Sequence, residues 1–405
     1  MTVAQRTLHT AGDPGSVAAR LARLPGIVAA LRANDATADR ERILQYEAVT
    51  ALRDTGVLAL RVPTRYGGPG GSVRDVLTAV ITIAGGSSNV AQALRAHFGY
   101  SERLLSNRAT ETERAEWFPR IHAGLVFGNA VTDARGATPG GADTTLLADH
   151  DGVLRLNGHK FYSTGTLYAD VVAVSAVDHA GRDLQAVVPV DRDGVELFDD
   201  WDGFGQRVTA SGGTRFTNVA VEPVEVTTVT DGAHLGHSTT FQQLYLAAVT
   251  AGIGHGVLDD AVSYVQTRAR PASHALSTTA AKDPFIVEAV GDIAAAAWSA
   301  KTLVLSAADE IDRLVDRGLQ DDIGALGAVA VTVAKAQLVS ERLVLAAAER
   351  LFDTGGASAT ARTLNLDRHW RNARTIASHS PLAYKAYVAG DHHLNDAPPP
   401  TNGYF

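Results

Sequence analysis

The composition of this chain is most informative in what it lacks, and the first missing residue is cysteine. The 405 residues contain no cysteine. Disulfides, thiolate zinc sites, iron–sulfur clusters and a cysteine nucleophile are therefore excluded together. A basic stripe is also missing, and the net charge is −8, so nucleic acid is not an expected partner. The cysteine-free composition agrees with a cytoplasmic protein, which is the location we expect.

Long apolar runs and an N-terminal signal core are absent as well. No stretch approaches the roughly 18 uncharged apolar residues that a membrane helix needs, and residues 1–16 contain no apolar core. Hydrophobic residues nevertheless make up 45% of the chain, against 20% charged residues. This balance is typical of a folded protein with a large core, and we expect neither membrane insertion nor secretion.

The spacing of apolar residues changes twice along the chain. Residues 1–122 show the three- and four-residue spacing of helices, and residues 123–228 contain short β-branched runs bounded by turn residues. Residues 229–405 return to long alanine-rich helical runs whose broad apolar faces favour contact with other subunits. The order predicts an α+β protein with an N-terminal helical domain, a central β-barrel or β-sandwich domain and a C-terminal four-helix bundle. Within the β segment, Asn157-Gly158 predicts a hairpin turn.

Four local motifs occur in the order found in the acyl-CoA dehydrogenase superfamily. They are AVTDARGATPGGAD (130–143), LNGHKFYSTG (156–165), FGQRVTASGGTRFTNVAVEP (204–223), and the pair YVQTRARP (264–271) with LFDTGGASA (351–359). The first resembles the family's flavin loop and the second the strand beside the flavin ring. The last pair resembles the elements near the phosphate end of the cofactor. The resemblance implies an acyl-CoA dehydrogenase-like fold and a bound flavin.

The departures from the family pattern concern the base of the dehydrogenase reaction. Family dehydrogenases need a carboxylate that takes the α-proton of the substrate. At one family position this chain has Ser380, within RNARTIASHSPLAYK, and at the other position FQQLYLAAVTAGIGHG (241–256) contains no Asp or Glu. The sequence therefore offers no base at either family position.

The variant pattern resembles instead the flavin-dependent monooxygenases of this superfamily, the dibenzothiophene monooxygenase and hydroxyphenylacetate hydroxylase oxygenase groups. This resemblance implies a homotetrameric two-component enzyme that receives reduced FMN from a separate flavin reductase, with reduced FAD as the less favoured alternative. It implies a C4a-hydroperoxyflavin, formed with O2, that oxygenates a small aromatic, heteroaromatic, sulfur or amine substrate. An acyl-CoA dehydrogenase-type flavoprotein, an amino-sugar N-hydroxylase and a non-enzymatic flavin-binding homologue remain as alternatives.

The resemblance also implies catalytic and substrate-binding residues. Ser163 matches a hydroxyl that faces the flavin N5, and His379 matches a C-terminal histidine near the flavin C4a. A hydroxyl can hydrogen-bond the ring, and an imidazole can hold or move a proton near neutral pH. His97 and Tyr100 share a helix face in the region where the family places a pocket histidine and tyrosine. Each residue has a structural alternative: a serine bonded to the backbone, a hydrated histidine, or a buried pair.

Further residues are implied for the cofactor and for a flat apolar substrate. Asn129 and Thr132 fall at the pyrimidine edge of the flavin, and Phe161 falls beside its ring. Arginines suit a phosphate, and glycines let the backbone approach it, in the family from a neighbouring subunit. These phosphate-end residues are Arg268, Arg270, Gly355 and Gly356. Trp201 and Phe204 are candidates for the substrate pocket, although plain core packing, solvated arginines and packed loop aromatics are the alternatives.

Two common motifs are not present. No GxGxxG follows a strand, so a Rossmann dinucleotide unit is not expected. The histidines, including His392-His393, show no metal-ligand spacing, so no metal is expected.

Overall fold

The structure is a computed structural model that describes residues 15–106, 109–133, 145–150, 153–228, 236–320, 322–400 and 405. Residues 134–143, most of the motif that resembles the flavin loop, lie outside the described residues.

The described N-terminal segment is helical, as its apolar spacing predicts. Its helices α1 to α7 are Val17–Leu21, Leu24–Glu41, Tyr46–Asp54, Val73–Gly86, Ser88–Ala93, Arg95–Leu105 and Glu111–His122. A capping box of Ser72 and Asp75 starts α4, and one of Thr110 and Glu113 starts α7. Because α4 is buried along most of its length and packs against α5, it gives the short α5 a fixed support.

The central segment forms one mixed sheet. Its strands β1 to β9 are Phe127–Ala130, Thr132–Asp133, Leu146–His150, Val153–Phe161, Val171–Val177, Asp183–Pro189, Val195–Leu197, Thr214–Val221 and Val226–Thr228. The hydrogen-bonded order is β7-β8-β4-β3-β5-β6-β9, with β1 parallel to β5 and β2 antiparallel to β4. The end strands β7 and β9 are not paired with each other in the described part of the chain, so this path is an open sheet.

The hairpin predicted at Asn157-Gly158 is wrong, because both residues lie inside β4. The register between β4 and β8 shifts between Leu156 and Gly158, which marks a β-bulge. Gly158 has φ +155°, and a Cβ there would lie 2.5 Å from the Oγ1 atom of Thr145. The Asn157 side chain accepts a hydrogen bond from the Asn218 N–H at 2.7 Å. A bulge needs the same residue types as a tight turn, and only the partner strand distinguishes the two.

The described C-terminal segment is helical again, which confirms the predicted order of helical, β and helical segments. Helices α8 to α12 are His237–Thr267, Pro284–Asp316, Ile323–Arg350, Arg368–Ile376 and Leu382–Asn395. The long helix α8 packs against α4, α9 and α10. Helix α11 ends before Pro381, which cannot continue an α-helix, and α12 begins directly after it.

One described helical run, Ile323–Thr354, is long and apolar enough by length and composition to cross a membrane. In this fold the run is α10 with its following turn, and it packs against both α8 and α9. It carries buried polar side chains, Gln337, Ser340 and Glu341. A core helix of a bundle passes the same test, so the run is weak support for a membrane span.

A buried ion cluster joins the N-terminal helices to α8. Arg61 donates hydrogen bonds to both carboxylate oxygens of Glu102, one of them at 3.1 Å, and the His237 Nε2 atom lies 3.0 Å from Glu102. Burial alone would raise the pKa of Glu102, but the charge of Arg61 and the hydrogen bond to His237 lower it to about 2. Glu102 therefore stays ionised, and it connects α6 to the start of α8.

Candidate active site

Ser163 lies where the chain leaves β4 and meets the loop 206–212. The Ser163 N–H donates to the Gly212 carbonyl at 2.9 Å, and the Gly165 N–H donates to the Thr209 carbonyl at 3.0 Å. Two backbone hydrogen bonds thus fix the segment 163–165 along the loop. Ser163 comes two residues after Phe161, the last paired residue of β4, so it lies outside the hydrogen-bonded part of the sheet.

Helix α5 is the third element around Ser163, after the segment 163–165 and the loop 206–212. The Gln206 Nε2 atom donates to Ser88 Oγ at 3.2 Å, and the Val208 N–H donates to Asn89 Oδ1 at 3.2 Å. Gly165 has φ +80°, and a Cβ on it would lie 2.0 Å from the carbonyl oxygen of Ala93, so only glycine allows this approach. We call the three elements 88–93, 163–165 and 206–212 the Ser163 enclosure.

Several buried polar atoms of the Ser163 enclosure have no hydrogen-bond partner among the described residues. They are Ser163 Oγ, Asn89 Nδ2, Gln206 Oε1 and both amide atoms of Gln92. Ser163 is only 1% exposed. A buried polar atom without a hydrogen-bond partner lowers the stability of the fold. Several such atoms in one place therefore indicate a site for a polar ligand. A flavin ring, with its carbonyl oxygens and ring nitrogens, and a substrate bound beside it would together fit this set of neutral donors and acceptors.

The sheet brings the residues predicted for the flavin ring to the same place. Thr132 on β2 lies directly opposite Phe161 on β4, and Ser163 follows two residues later. Thr166 Oγ1 donates to the Asn129 carbonyl at 3.1 Å, which holds the end of β1 beside the same segment. Asn129, Thr132 and Phe161 are half-buried, so part of each side chain is accessible.

Trp201 and Phe204 lie at the start of the loop that borders Ser163. The indole N–H of Trp201 donates to the Gly205 carbonyl at 3.2 Å, and its ring meets the exposed Tyr162 ring edge-on at 5.7 Å. Phe204 is 56% exposed and stacks on Trp370 at 6.2 Å. These aromatic side chains therefore form a rim next to the Ser163 enclosure.

His379 follows α11 and is exposed, although many protein atoms surround it. This surrounding protein and the positive charge of Arg95 lower the pKa of His379 to about 4. Arg95, whose charge acts on His379, comes two residues after Ala93 of the enclosure. The next residue, Ser380, donates to Gln243 at 3.2 Å and ties the turn to α8.

The structure does not bring His97 and Tyr100 into the Ser163 enclosure. The two ring nitrogens of His97 contact the backbone: Nε2 lies 2.8 Å from the Leu58 carbonyl, and Nδ1 accepts from the Phe127 N–H at 3.4 Å. Tyr100 stacks on Phe127 with ring centroids 4.0 Å apart and is 6% exposed. Periodicity placed the pair on one helix face correctly, and that face packs on β1. The pocket roles of His97 and Tyr100 stay predictions.

The residues predicted for the phosphate end lie at the end of α8 and in the segment after α10, and these two segments meet where Gly355 packs against the Tyr264 ring. Arg268, Arg270 and Gly356 are exposed, and Gly356 has φ +58°. Helix α8 meets α5 at Tyr245, whose hydroxyl donates to the Ala91 carbonyl at 2.7 Å. The 23 residues from there to Arg268 span about 35 Å, so one FMN molecule cannot reach both places in one chain.

Glu341 on α10 is a buried carboxyl whose pKa burial raises to about 7. Gln337 donates to it at 2.9 Å, and the charges of Lys385 and Arg374 oppose the rise. These neighbours belong to α10, α11 and α12. Glu341 is thus part of the helical bundle and is not placed on the Ser163 enclosure.

The comparisons with known proteins agree with this architecture. The model of the acyl-CoA dehydrogenase N-terminal domain matches residues 28–125, and that of the C-terminal domain matches residues 244–384. "Probable FMNH2-dependent monooxygenase SfnC" of Pseudomonas putida is 30% identical over 87% of this chain and 89% of its own length. Dibenzothiophene monooxygenase of Rhodococcus erythropolis is 29% identical over 95% of this chain and 93% of its own.

A solved structure shows the same fold. TdsC from Paenibacillus sp. A11-2, in complex with FMN and indole, has a TM-score of 0.87 at 29% identity and covers 95% of this chain and 100% of its own. The chain belongs to the acyl-CoA dehydrogenase family. Within that family it falls in the branch of flavin-dependent monooxygenases, because the relatives that span nearly its whole length are enzymes of that kind.

Sequence reasoning missed three polar residues of the enclosure: Asn89, Gln92 and Gln206. A signal was present, because Ser88, Asn89 and Gln92 recur at helical spacing within an otherwise apolar stretch, SSNVAQAL. Polar residues on one face of a buried helix indicate a polar neighbour.

A substitution at Gly165 tests the closeness of α5 to Ser163. We expect Gly165→Ala to weaken FMN binding by about tenfold or more, because the new Cβ pushes the segment away from Ala93. The measurement is a fluorescence titration with FMN. The matched control is Gly181→Ala, which has a similar φ of +76° and no atom within 4 Å of the added Cβ. Equal affinities of both variants would show that the contact does not shape the site.

Proposed function

We propose that this protein is the oxygenating component of a two-component FMN-dependent monooxygenase, with its site at the Ser163 enclosure. The observation that carries the proposal is the set of buried, unpartnered hydroxyl and amide atoms around Ser163 in the described residues. The relatives support it, since FMNH2 and monooxygenase activity appear in their names and FMN is bound in the TdsC complex.

Reduced FMN, when bound, supplies the two electrons that let one atom of O2 enter a substrate and the other leave as water. Asn129 and Thr132 would hold the pyrimidine edge of the ring, and Phe161 would pack beside it. The Ser163 hydroxyl would hydrogen-bond at the ring N5 position. The enclosure keeps Ser163 away from water, which protects reactive oxygen from loss as hydrogen peroxide.

His379 would act as a neutral hydrogen-bond donor rather than as a cation. With a pKa of about 4, its imidazole is uncharged near pH 7. One ring nitrogen then carries a hydrogen that can be directed at an oxygen atom in the cleft, and the other can accept. This role needs no charged group at the site.

The substrates that fit best are small sulfur compounds or heteroaromatics. Oxygen transfer to the lone pair of sulfur or nitrogen needs no base that removes a carbon-bound proton of the substrate, which agrees with the lack of a carboxylate at the two family positions of the base. The rim of Trp201 and Phe204 offers flat apolar faces for such a molecule. Among the relatives, one is named for dibenzothiophene, and TdsC is seen with indole.

The partners we propose are a separate flavin reductase and further copies of this chain, in a homotetramer. Because the phosphate-end residues lie about 35 Å along α8 from the enclosure, a second copy would have to supply Arg268, Arg270, Gly355 and Gly356 to the same cofactor. The C-terminal helices also expose large apolar side chains, such as Phe285, Trp298 and Tyr384, at 67%, 67% and 69%. Such side chains suit subunit contacts.

The function is tested by mixing the protein, loaded with reduced FMN, with 18O2 and dibenzothiophene or indole. We expect one 18O atom in the organic product, found by mass spectrometry. In stopped-flow absorbance, the oxidised flavin spectrum should return more slowly than it does when free reduced FMN reacts with O2. Immediate reoxidation with all oxygen released as peroxide would contradict the proposal, as would anaerobic reduction of the flavin by an acyl-CoA.

Replacing Ser163 tests its role at the ring. We expect Ser163→Ala to raise the share of consumed oxygen released as hydrogen peroxide by up to about tenfold, because one hydrogen bond is lost. A peroxidase-coupled assay measures it. The control is Ser263→Ala, at an exposed serine of α8 outside the Ser163 enclosure. Unchanged peroxide release in Ser163→Ala would make Ser163 a structural residue.

Replacing His379 tests the neutral-imidazole role. We expect His379→Ala to lower the oxygenation rate by about a hundredfold with FMN affinity unchanged. Since the pKa of His379 is lowered to about 4, wild-type oxygenation should be level from pH 6 to 8 and fall as the pH drops toward 4 and the imidazole takes a proton. His274→Ala, in an exposed loop, is the control. A wild-type inflection near pH 6.5 would argue against this assignment.

A further inference from the structure

Gln92 is a buried amide without a partner in the described part of the chain. It is 1% exposed, and neither Nε2 nor Oε1 has a hydrogen bond there. A primary amide can donate two hydrogen bonds and accept two, so leaving all of them unmade in the interior destabilises the fold. A ligand that pairs with such a group is one physical reason for a protein to retain it.

The direction of the side chain follows from the helical spacing of α5. Residue 92 is four residues after Ser88 and three after Asn89, so the three side chains share one face. Ser88 and Asn89 both contact the loop 206–212. The Ala91 carbonyl, in contrast, receives the Tyr245 hydroxyl from α8. Gln92 therefore faces the Ser163 enclosure and not the helical bundle.

The two sides of the enclosure have different origins. Thr132, Phe161 and Ser163 come from the sheet, and Gln92 comes from the helical domain across from them. If the sheet residues hold the flavin, as proposed above, the space on the α5 side is left for the substrate. Arg95, a cation of the neighbouring helix, donates to the Gln242 side chain at 3.4 Å. The groups offered on the α5 side, Asn89 and Gln92, are uncharged amides.

We propose that Gln92 is a specificity-determining residue that hydrogen-bonds an uncharged polar atom of the substrate. The amide can accept from a ring N–H or donate to an oxygen on sulfur, so it selects heteroaromatics that carry such an atom over purely apolar ones. This inference rests on the proposed function and names the substrate chemistry of that same site.

A stability measurement without ligand distinguishes a substrate contact from a structural hydrogen bond. We expect Gln92→Met to leave the Tm equal or to raise it by about 1–3 °C, because a costly unpaired amide is removed. The matched control is Gln243→Met, at a buried amide whose oxygen accepts from Ser380 and Lys385, and it should lower the Tm. A loss of Tm in Gln92→Met comparable to the control would overturn the proposal.

A pair of isosteric probes tests the hydrogen bond itself. Indole carries a ring N–H and benzothiophene does not, so with oxidised FMN bound we expect the wild type to bind indole more tightly. Gln92→Met should bind indole about tenfold more weakly, with benzothiophene and FMN affinities unchanged. Isothermal titration calorimetry gives all three affinities.

Three results would overturn the assignment: a wild type without preference for indole, a variant that keeps the preference, or a variant with weaker FMN binding. The last would assign the amide to the cofactor. Neither measurement requires turnover, so failure of the proposed function would be seen separately, in the 18O2 experiment with the wild type.

Discussion

The close approach of Gly165 to the carbonyl oxygen of Ala93 is the constraint on which the site depends. It brings the end of a β-strand against a short helix, and a Cβ at that glycine would lie only 2.0 Å from the oxygen. The loop 206–212 bonds to both sides and completes the arrangement. Helix α4 and the Arg61–Glu102 cluster hold the helical side in place. A site assembled from three distant segments therefore has little freedom to open.

The chemistry of this arrangement is that of uncharged groups. One charge pair near it, Lys160 with Asp133 at 2.8 Å, is buried and neutralised, and the lowered pKa of His379 keeps its imidazole neutral. Hydroxyls, amides and a neutral imidazole can orient a molecule and hold a proton without attracting ions or bulk water. Such a site suits the transfer of oxygen, whereas proton abstraction in the related dehydrogenases depends on a carboxylate.

Helix α8 separates two functions along its length. Its first half packs on α5 and supports the Ser163 enclosure, and its end carries Tyr264, which contacts Gly355. The continuous 31-residue helix keeps these places apart within one chain. Assembly of copies is therefore tied to cofactor binding in the proposal, because Arg268, Arg270, Gly355 and Gly356 would meet the flavin phosphate from another copy of this chain.

The sequence by itself determined the order of helical, β and helical segments, the family, and the grouping of Thr132, Phe161 and Ser163. These follow from local periodicity and from motifs that span adjacent strands. Tertiary structure decided that His97 bonds to the backbone of Leu58 and Phe127, that Asn157-Gly158 forms a bulge, and that Gln92 faces the site. Periodicity shows which residues share a face of a helix or strand. It does not show what packs against that face, because such contacts join residues far apart in the chain.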